Sequence, residues 1–504
     1  MSDTSDTPDL IAPLDSDRRS LTHVGHAVVV GGGMAGLLAA RVLVSHFERV
    51  TLIERDALRD NAQARKGVPQ GRMLHVMLPR GQRIIEGLFP GYGHELQAAG
   101  AVSLRVPADA LVLTPAGWLD RRASGWPLVS ASRPLFEWAM RRRMRALPGA
   151  TILDRHDITS LVISRDARQI TGVMLRLLDV PGCPHRELGA DLVVDASGRG
   201  SRTPTWLSDA GYRISTKAHI DANVGYASRI YRIPQRFTED WQLVMLGAQP
   251  PSMPRSGLLI PIEDGQWMAG LMGAAGQHPP TDEDGFAAFA RSLRHPVLAN
   301  ALAAAEPVTS IHGYRGTANR LWHYERMRRW PERFVVLGDA VCAFNPTYGQ
   351  GMSTAAVAAE TLNACLRDHR RQHSTYDLDG LARAFQRHLA RRNTDPWMLS
   401  TGADLRYPTT TGAQVGAATR LSHRYLDRVV AAATQQPPVT ETYTKVMGML
   451  TRPTSLFAPR ILAAAIRARP HGDAGLPPPS PASGASPLRP DAELAVPVQE
   501  EKSP

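Results

Sequence analysis

Val28-Val29-Val30-Gly31-Gly32-Gly33-Met34-Ala35-Gly36 is an apolar run that turns into a Gly-x-Gly-x-x-Gly string. Residues 27–30 read as a strand, the residues to about 46 as a helix, and 49–54 as a second strand, so the unit is βαβ. In such a unit Gly31 permits the tight turn, Gly33 lets the backbone approach a pyrophosphate, and Gly36 lets the helix pack on the strand. The first-turn N–H groups, those of Met34 and Ala35 among them, and the positive end of the helix dipole face the same place. Glu54 ends the second strand with Arg55 beside it, and a carboxylate there can accept hydrogen bonds from ribose hydroxyls. The spacing predicts a dinucleotide site in a Rossmann-like domain, without separating FAD from NAD. Gly91-Tyr92-Gly93 begins a similar string but lacks the third glycine and a leading strand.

With 504 residues, 43% hydrophobic and 21% charged, the chain suits roughly two to four globular domains. The stretch from Ala27 to Leu43 contains Arg41 and three consecutive glycines, unlike a membrane span of about 20 apolar residues. Asp3, Asp6 and Asp9 stand where a secretory signal would be apolar. Cys183, Cys342 and Cys365 form no Cys-x-x-Cys pair. That argues against a disulfide framework or zinc site and fits a reducing cytoplasm. The net charge of +11 is spread over scattered clusters such as Arg141–Arg143, Arg328–Arg329 and Arg391–Arg392, with no zinc-finger or RNP-like motif. Nucleic acid is therefore not an expected partner.

Residues 1–24 read as a loose polar arm and 471–504, with Pro477–Pro479, as a disordered Pro-rich tail. Residues 191–195 and 333–339 are short apolar strands that run into turns, and 353–432 is mainly helical. Four further stretches carry chemistry: Gly338-Asp339-Ala340 followed by Pro346-Thr347-Tyr348-Gly349-Gln350-Gly351-Met352; Asp195-Ala196-Ser197-Gly198-Arg199-Gly200; Arg65-Lys66-Gly67-Val68-Pro69-Gln70; and Ser132-Arg133-Pro134-Leu135.

Together these stretches resemble the para-hydroxybenzoate hydroxylase-like FAD monooxygenases, in recognisable order over residues 26–365. The resemblance implies an α/β (α+β overall) architecture. A Rossmann-like FAD-binding domain would comprise 25–105, 130–205 and 311–380. A mixed-sheet substrate domain would comprise 106–129 and 206–310, with C-terminal helices over 381–470. It places Asp339 on the ribitol chain and Pro346 beside the flavin ring. Gly349, Gly351 and Met352 would open a helix whose positive end faces the pyrimidine edge, where reduced flavin carries negative charge. It brings Arg65 and Arg133 to the cofactor, Gly67 and Val68 against the ring, and the Ile158 backbone to the adenine.

The usual Asp-Gly pair is interrupted by Ala196 and Ser197, which puts a nicotinamide role for Asp195 in doubt. Cys342 and Ser353 replace the His and Asn typical of aromatic hydroxylases. The Gly-Met-Ser ending and Gly67-Val68-Pro69-Gln70-Gly71-Arg72…His75 are closer to squalene-epoxidase-like and bacterial polyether-epoxidase-like enzymes. That branch implies an apolar olefinic or polycyclic substrate. The chemistry implied is uptake of O₂ by reduced FAD to a C4a-hydroperoxide that epoxidises or hydroxylates the substrate. Electrons would come from NAD(P)H, directly or through a partner reductase. No catalytic acid or base is needed, and His75 and Tyr348 read as structural.

Met245, Met253, Met268 and Met272 are candidates for an adaptable pocket or for core filling. The apolar, basic segment 453–470 is a candidate for peripheral membrane contact. Two rival activities share the FAD fingerprints: a reductase or dehydrogenase of isoprenoid-like substrates, and a flavin-dependent halogenase. The halogenase reading lacks Trp-x-Trp-x-Ile-Pro, and Lys66 is the only lysine before Lys217. A disulfide reductase is excluded for want of a redox cysteine pair.

Overall fold

His26–Val30 forms strand β1, and all five of its residues are buried. Such a continuous apolar run belongs in a parallel sheet covered on both faces. The structure, a computed structural model, describes residues 25–468 except 124, 180–183, 215 and 374–376, together with 478–480. The arm 1–24, Cys183 and the tail apart from 478–480 lie outside the described residues.

Helix α1 (Met34–Val44) follows β1 and leads to β2 (Arg49–Ile53). The remaining parallel strands are β3 (Ala150–Leu153), β4 (Leu192–Asp195) and β5 (Phe334–Val336). Their order is β5-β4-β1-β2-β3, and every pairing is parallel. The chain leaves β1 towards β2 on one side and later adds β4 on the other. The carboxyl end of β1 is thus a topological switch point, where open α/β sheets bind ligands.

A second, eight-stranded sheet contains Gly225–Arg232, Leu243–Leu246, Arg255–Ile262 and Gln266–Gly273, close to the runs 225–231, 242–246, 257–261 and 267–271 that read as strands in the sequence. Strand periodicity sends alternate residues to opposite faces. Val244 packs in a cluster with Trp267 and Phe286, while its neighbours Leu243 and Met245 face a large cavity. The opposite cavity wall comes from α2 (Arg133–Arg145), α3 (Gly351–Gln372) and α4 (Leu381–Asp404) and from the C-terminal helices α5 (Ala417–Ala433) and α6 (Pro437–Met447), behind which packs α7 (Pro459–Arg467). Val429, Val439, Val446 and Ile461 of the last three share one apolar cluster with Val112 and Leu243 of the eight-stranded sheet. Helix α7 buries Ile461, Ala464 and Ala465, whereas Leu462 and Ile466 are 43% and 66% exposed and Phe457, just before it, 55%. No helix among the described residues is long and apolar enough to cross a membrane.

Candidate active site

One continuous cavity of 1420 Å³ runs from the β1–α1 turn to the eight-stranded sheet. That exceeds the roughly 300–1,000 Å³ of ordinary small-molecule sites, so it has room for two ligands side by side. The sequence motifs meet on its wall. Gly31, Gly33, Met34 and Ala35 line it at the first turn, with Glu54 and Arg55 at the end of β2. Arg65, Arg133 and Ile158 line it alongside them. Asp339, Pro346, Gly349, Gly351 and Met352 line it from the β5–α3 connection.

Gly36 alone of the nominated residues does not reach the cavity. A Cβ on it would lie 1.8 Å from the Gly31 carbonyl oxygen, so it serves the close packing of α1 on β1. Gly31 has φ +101° and its Cβ would meet the Ala196 carbonyl oxygen at 2.7 Å. Gly33 is different: a Cβ there would touch only Arg65 Nη2, at 3.8 Å, and one on Gly351 would meet nothing within 4 Å. Both positions open onto the cavity. Both also lie where the first N–H groups of a helix have no intrahelical acceptor.

The Glu54 carboxylate is held on three sides. Oε2 accepts the Gly32 N–H at 2.7 Å and meets Arg65 Nη1 at 2.9 Å, and Oε1 accepts the Asp56 N–H at 2.9 Å. Arg65 is also 3.1 Å from Asp56 and 3.5 Å from Glu137. Its charge is therefore largely matched by carboxylates of the chain itself. Glu137 lies outside the motifs quoted above, although Arg133-x-x-x-Glu137 on a helix capped by Ser132 carries the i,i+4 signal of a facing pair. It bonds Arg133 at 2.8 Å. Burial alone would raise its carboxyl, but Arg133 and Arg65 hold it below the usual range.

Arg133 also reaches His75, with Nη1 3.1 Å from Nε2, while His75 Nδ1 lies 2.9 Å from the Met73 carbonyl. Burial and the adjacent guanidinium push the His75 pKa down to about 3. The ring is therefore neutral, with its proton on Nδ1, and Nε2 accepts from Arg133. Asp195 is fully buried. It accepts from the Ser197 N–H at 2.9 Å, from the Ser197 and Ser201 hydroxyls at 2.6 and 2.5 Å, and from Thr203. It organises its own turn and has no spare capacity for a ligand. Arg199 lines the cavity, donates to the Ala318 carbonyl at 2.9 Å and to that of Phe344, and lies 3.9 Å from Asp339.

Asp404, at the end of α4, belongs to no sequence motif. It lines the cavity beside Tyr348 and Tyr407. Its carboxylate accepts from Asn319 Nδ2 at 2.6 Å, Asn345 Nδ2 at 2.9 Å and the Tyr348 hydroxyl at 2.9 Å. Of the four methionines considered, Met245 and Met272 line the cavity. Met268 instead is 2% exposed in an apolar cluster, and Met253 is off the wall. No lysine among the described residues lines the cavity; Lys66 and Lys217 are exposed and Lys445 pairs with Glu441 at 2.7 Å. Cys342 and Cys365 are free and buried, and no metal-ligating cluster occurs among the described residues.

The family model for the FAD binding domain matches residues 25–386. The chain belongs to this family. It is accordingly an FAD-dependent oxidoreductase of the flavoprotein monooxygenase superfamily that the motifs resemble. Protein Rv3254 of Mycobacterium tuberculosis is 34% identical to this flavoprotein over 434 residues, which cover 84% of this chain and 90% of that one. Among solved structures, the flavin-dependent brominase Bmp2 superposes with a TM-score of 0.61 at 16% identity, over 88% of this chain and 98% of that one. PqsL, a probable FAD-dependent monooxygenase from Pseudomonas aeruginosa, gives 0.56 at 17% identity, over 76% of this chain and 98% of that one. At such identities these two likenesses show the shared fold.

Proposed function

We propose that this flavoprotein is a monooxygenase that transfers one oxygen atom of O₂ to an apolar olefinic or polycyclic substrate, by epoxidation or hydroxylation, with NAD(P)H as the electron source. The observation that carries this reading is the continuity of the cavity. Its polar end holds the glycine turns and helix N-termini, and its other end is walled by Leu243, Met245, Leu258, Met272, Leu399 and Leu426.

The residues present fit FAD. Gly33 and Gly351 leave open space at two helix starts. Gln350 Oε1, on the cavity wall, is a buried acceptor without a partner among the described residues. The α1 N-terminus would hold the pyrophosphate. Glu54, with three donors on a group that takes roughly four, can accept one ribose hydroxyl. The Ile158 backbone would meet the adenine, Arg65 and Arg133 the phosphate and ribose region, and Asp339 the ribitol. Pro346, Gly349 and Met352 would border the ring.

FAD, when bound, supplies the redox chemistry and the activation of O₂. The chain positions the substrate over the ring site, excludes water with its apolar wall, and offers helix dipoles to developing negative charge. It needs no dedicated acid or base, and His75, neutral and internally bonded, is not one. A halogenase reading lacks a lysine on the cavity wall. The exposed Phe457, Leu462 and Ile466 support peripheral contact with a lipid surface through 453–470. Flotation with liposomes should fall when these three become serine, and unchanged flotation removes that part.

The test of the reaction is turnover of the FAD-loaded enzyme with NADPH and ¹⁸O₂ against a panel of apolar olefins and polycyclic compounds, with bromide and chloride present. One ¹⁸O atom per product and no product under argon is expected. A halogenated product, or product formed under argon, sinks the reading.

A further inference from the structure

The Asp404 carboxylate is almost fully buried, at 1% exposure, and no cation pairs with it among the described residues. A buried charge without a counterion is tolerated only when hydrogen bonds replace its hydration. Three donors do so, from widely separated parts of the chain. Asn319 lies on the strand Asn319–Trp322, and Asn345 and Tyr348 flank Pro346 in the loop that leads into α3. The loop is fixed from inside as well. Asn345 Oδ1 accepts the Thr347 N–H at 3.1 Å and its hydroxyl at 2.8 Å. On the far side, Asn319 Oδ1 accepts the Asn345 N–H at 2.8 Å and the Ser400 hydroxyl at 2.7 Å. The Asp404 carbonyl accepts from Thr410 at 2.5 Å, which anchors the end of α4. A neutral amide of the same shape would pack equally well, yet it could not accept at both oxygens.

We infer that Asp404 is a positioning residue: its ionised carboxylate clamps the 345–349 loop against the cofactor end of the cavity and ties that loop to the end of α4. The inference rests on the reading of the cavity as an FAD site.

The clamp is pH-sensitive. Burial pushes the Asp404 pKa up to about 6, against the hydrogen bonds from Tyr348, Asn345 and Asn319. Below that pH the carboxyl gains an O–H among three donors, and one of them loses its acceptor. The titratable groups around it are Tyr348, Tyr407 and Asp221, and Arg406, which acts on both tyrosines, is itself paired with Asp427 at 2.6 Å and reaches the His423 carbonyl at 3.3 Å. Burial raises both tyrosines, so their hydroxyls stay protonated throughout.

The experiment is FAD affinity by flavin fluorescence from pH 5 to 8, for wild type, Asp404→Asn and Tyr348→Phe, with unfolding curves confirming that each is folded. Wild type should lose roughly tenfold in affinity as pH falls through about 6, the value of a lost hydrogen bond to a charged group. Asp404→Asn should bind weakly with a flat profile. Tyr348→Phe removes a donor that lowers the Asp404 pKa, so its midpoint should move to higher pH. A flat wild-type profile, or a wild-type profile retained by Asp404→Asn, overturns the inference while leaving FAD binding intact. Wild type that binds no FAD at any pH overturns the FAD reading and this inference with it.

Discussion

Glu54 Oε2 accepts the Gly32 N–H at 2.7 Å, so the carboxylate that ends β2 pins the glycine turn that ends β1. The two strands are neighbours, with Val30 opposite Ile53. The turn and the acid are thus set by one sheet register, which fixes where a nucleotide's phosphate and ribose ends would fall.

Glu54→Gln should be more disruptive than its similar size suggests. Both carboxylate oxygens receive backbone N–H groups, from Gly32 and Asp56, so either orientation of an amide sets donor against donor. Arg65 also loses one of its carboxylate partners. A stability loss of about 1–3 kcal/mol in urea unfolding and FAD affinity lower by about tenfold or more are expected.

The glycines of the turn should divide into two classes. Gly36→Ala drives a methyl into the Gly31 carbonyl and should cost about 3 kcal/mol or more. Gly33→Ala meets only the end of Arg65. It should leave the unfolding midpoint near wild type while FAD affinity falls by about tenfold or more, because on the proposed reading the methyl would stand in the phosphate approach. Parallel urea melts and FAD titrations of the two variants check this.

What was legible in the sequence follows from how local each signal is. The β1–α1 turn is a contiguous run whose strand, glycines and helix dictate one another. The runs 225–231 and 257–261 read as strands because they are apolar and rich in β-formers, and the strands observed extend them by one or two residues. Asp404 carries no such mark. It is an isolated acid in an Ala/Arg-rich helix, and its partners Asn319 and Asn345 lie 85 and 59 residues away. Met268 illustrates the converse: strand alternation shows that neighbours face opposite sides, but which side becomes cavity depends on what packs above the sheet. The saturation of Asp195 was half visible, since Ser197, Ser201 and Thr203 follow it closely.

Two buried groups should pull stability in opposite directions with pH. His75 has a depressed pKa in the folded chain, about 3. Its contribution is present above the unfolded value near 6.5 and is lost as pH falls. Asp404 has a raised pKa, about 6. Its contribution is complete below about 4 and is lost as pH rises through 6. Each changes stability by at most about 1.4 kcal/mol per pH unit, so between pH 6 and 4 they offset each other. Relative to wild type over that range, His75→Gln should gain stability as pH falls and Asp404→Asn should lose it. Urea midpoints at pH 6, 5 and 4 read the difference, and variants that track wild type would refute the assignment.

Lys66 stands beside the cavity-lining Arg65 and Gly67 but is itself exposed and off the wall. Lys66→Met should leave ¹⁸O incorporation within about twofold of wild type, since a single exposed charge changes little. Collapse of turnover in that variant would bring the halogenase-type lysine role back.

The most direct measurement is equilibrium dialysis of the folded wild-type chain and of Gly351→Val against FAD. A Cβ at 351 meets nothing within 4 Å and the position lines the cavity, so both proteins should give similar melts. Wild type should retain one FAD per chain and Gly351→Val little or none. A folded wild type that retains no FAD, or a Gly351→Val variant that retains it fully, would contradict the account.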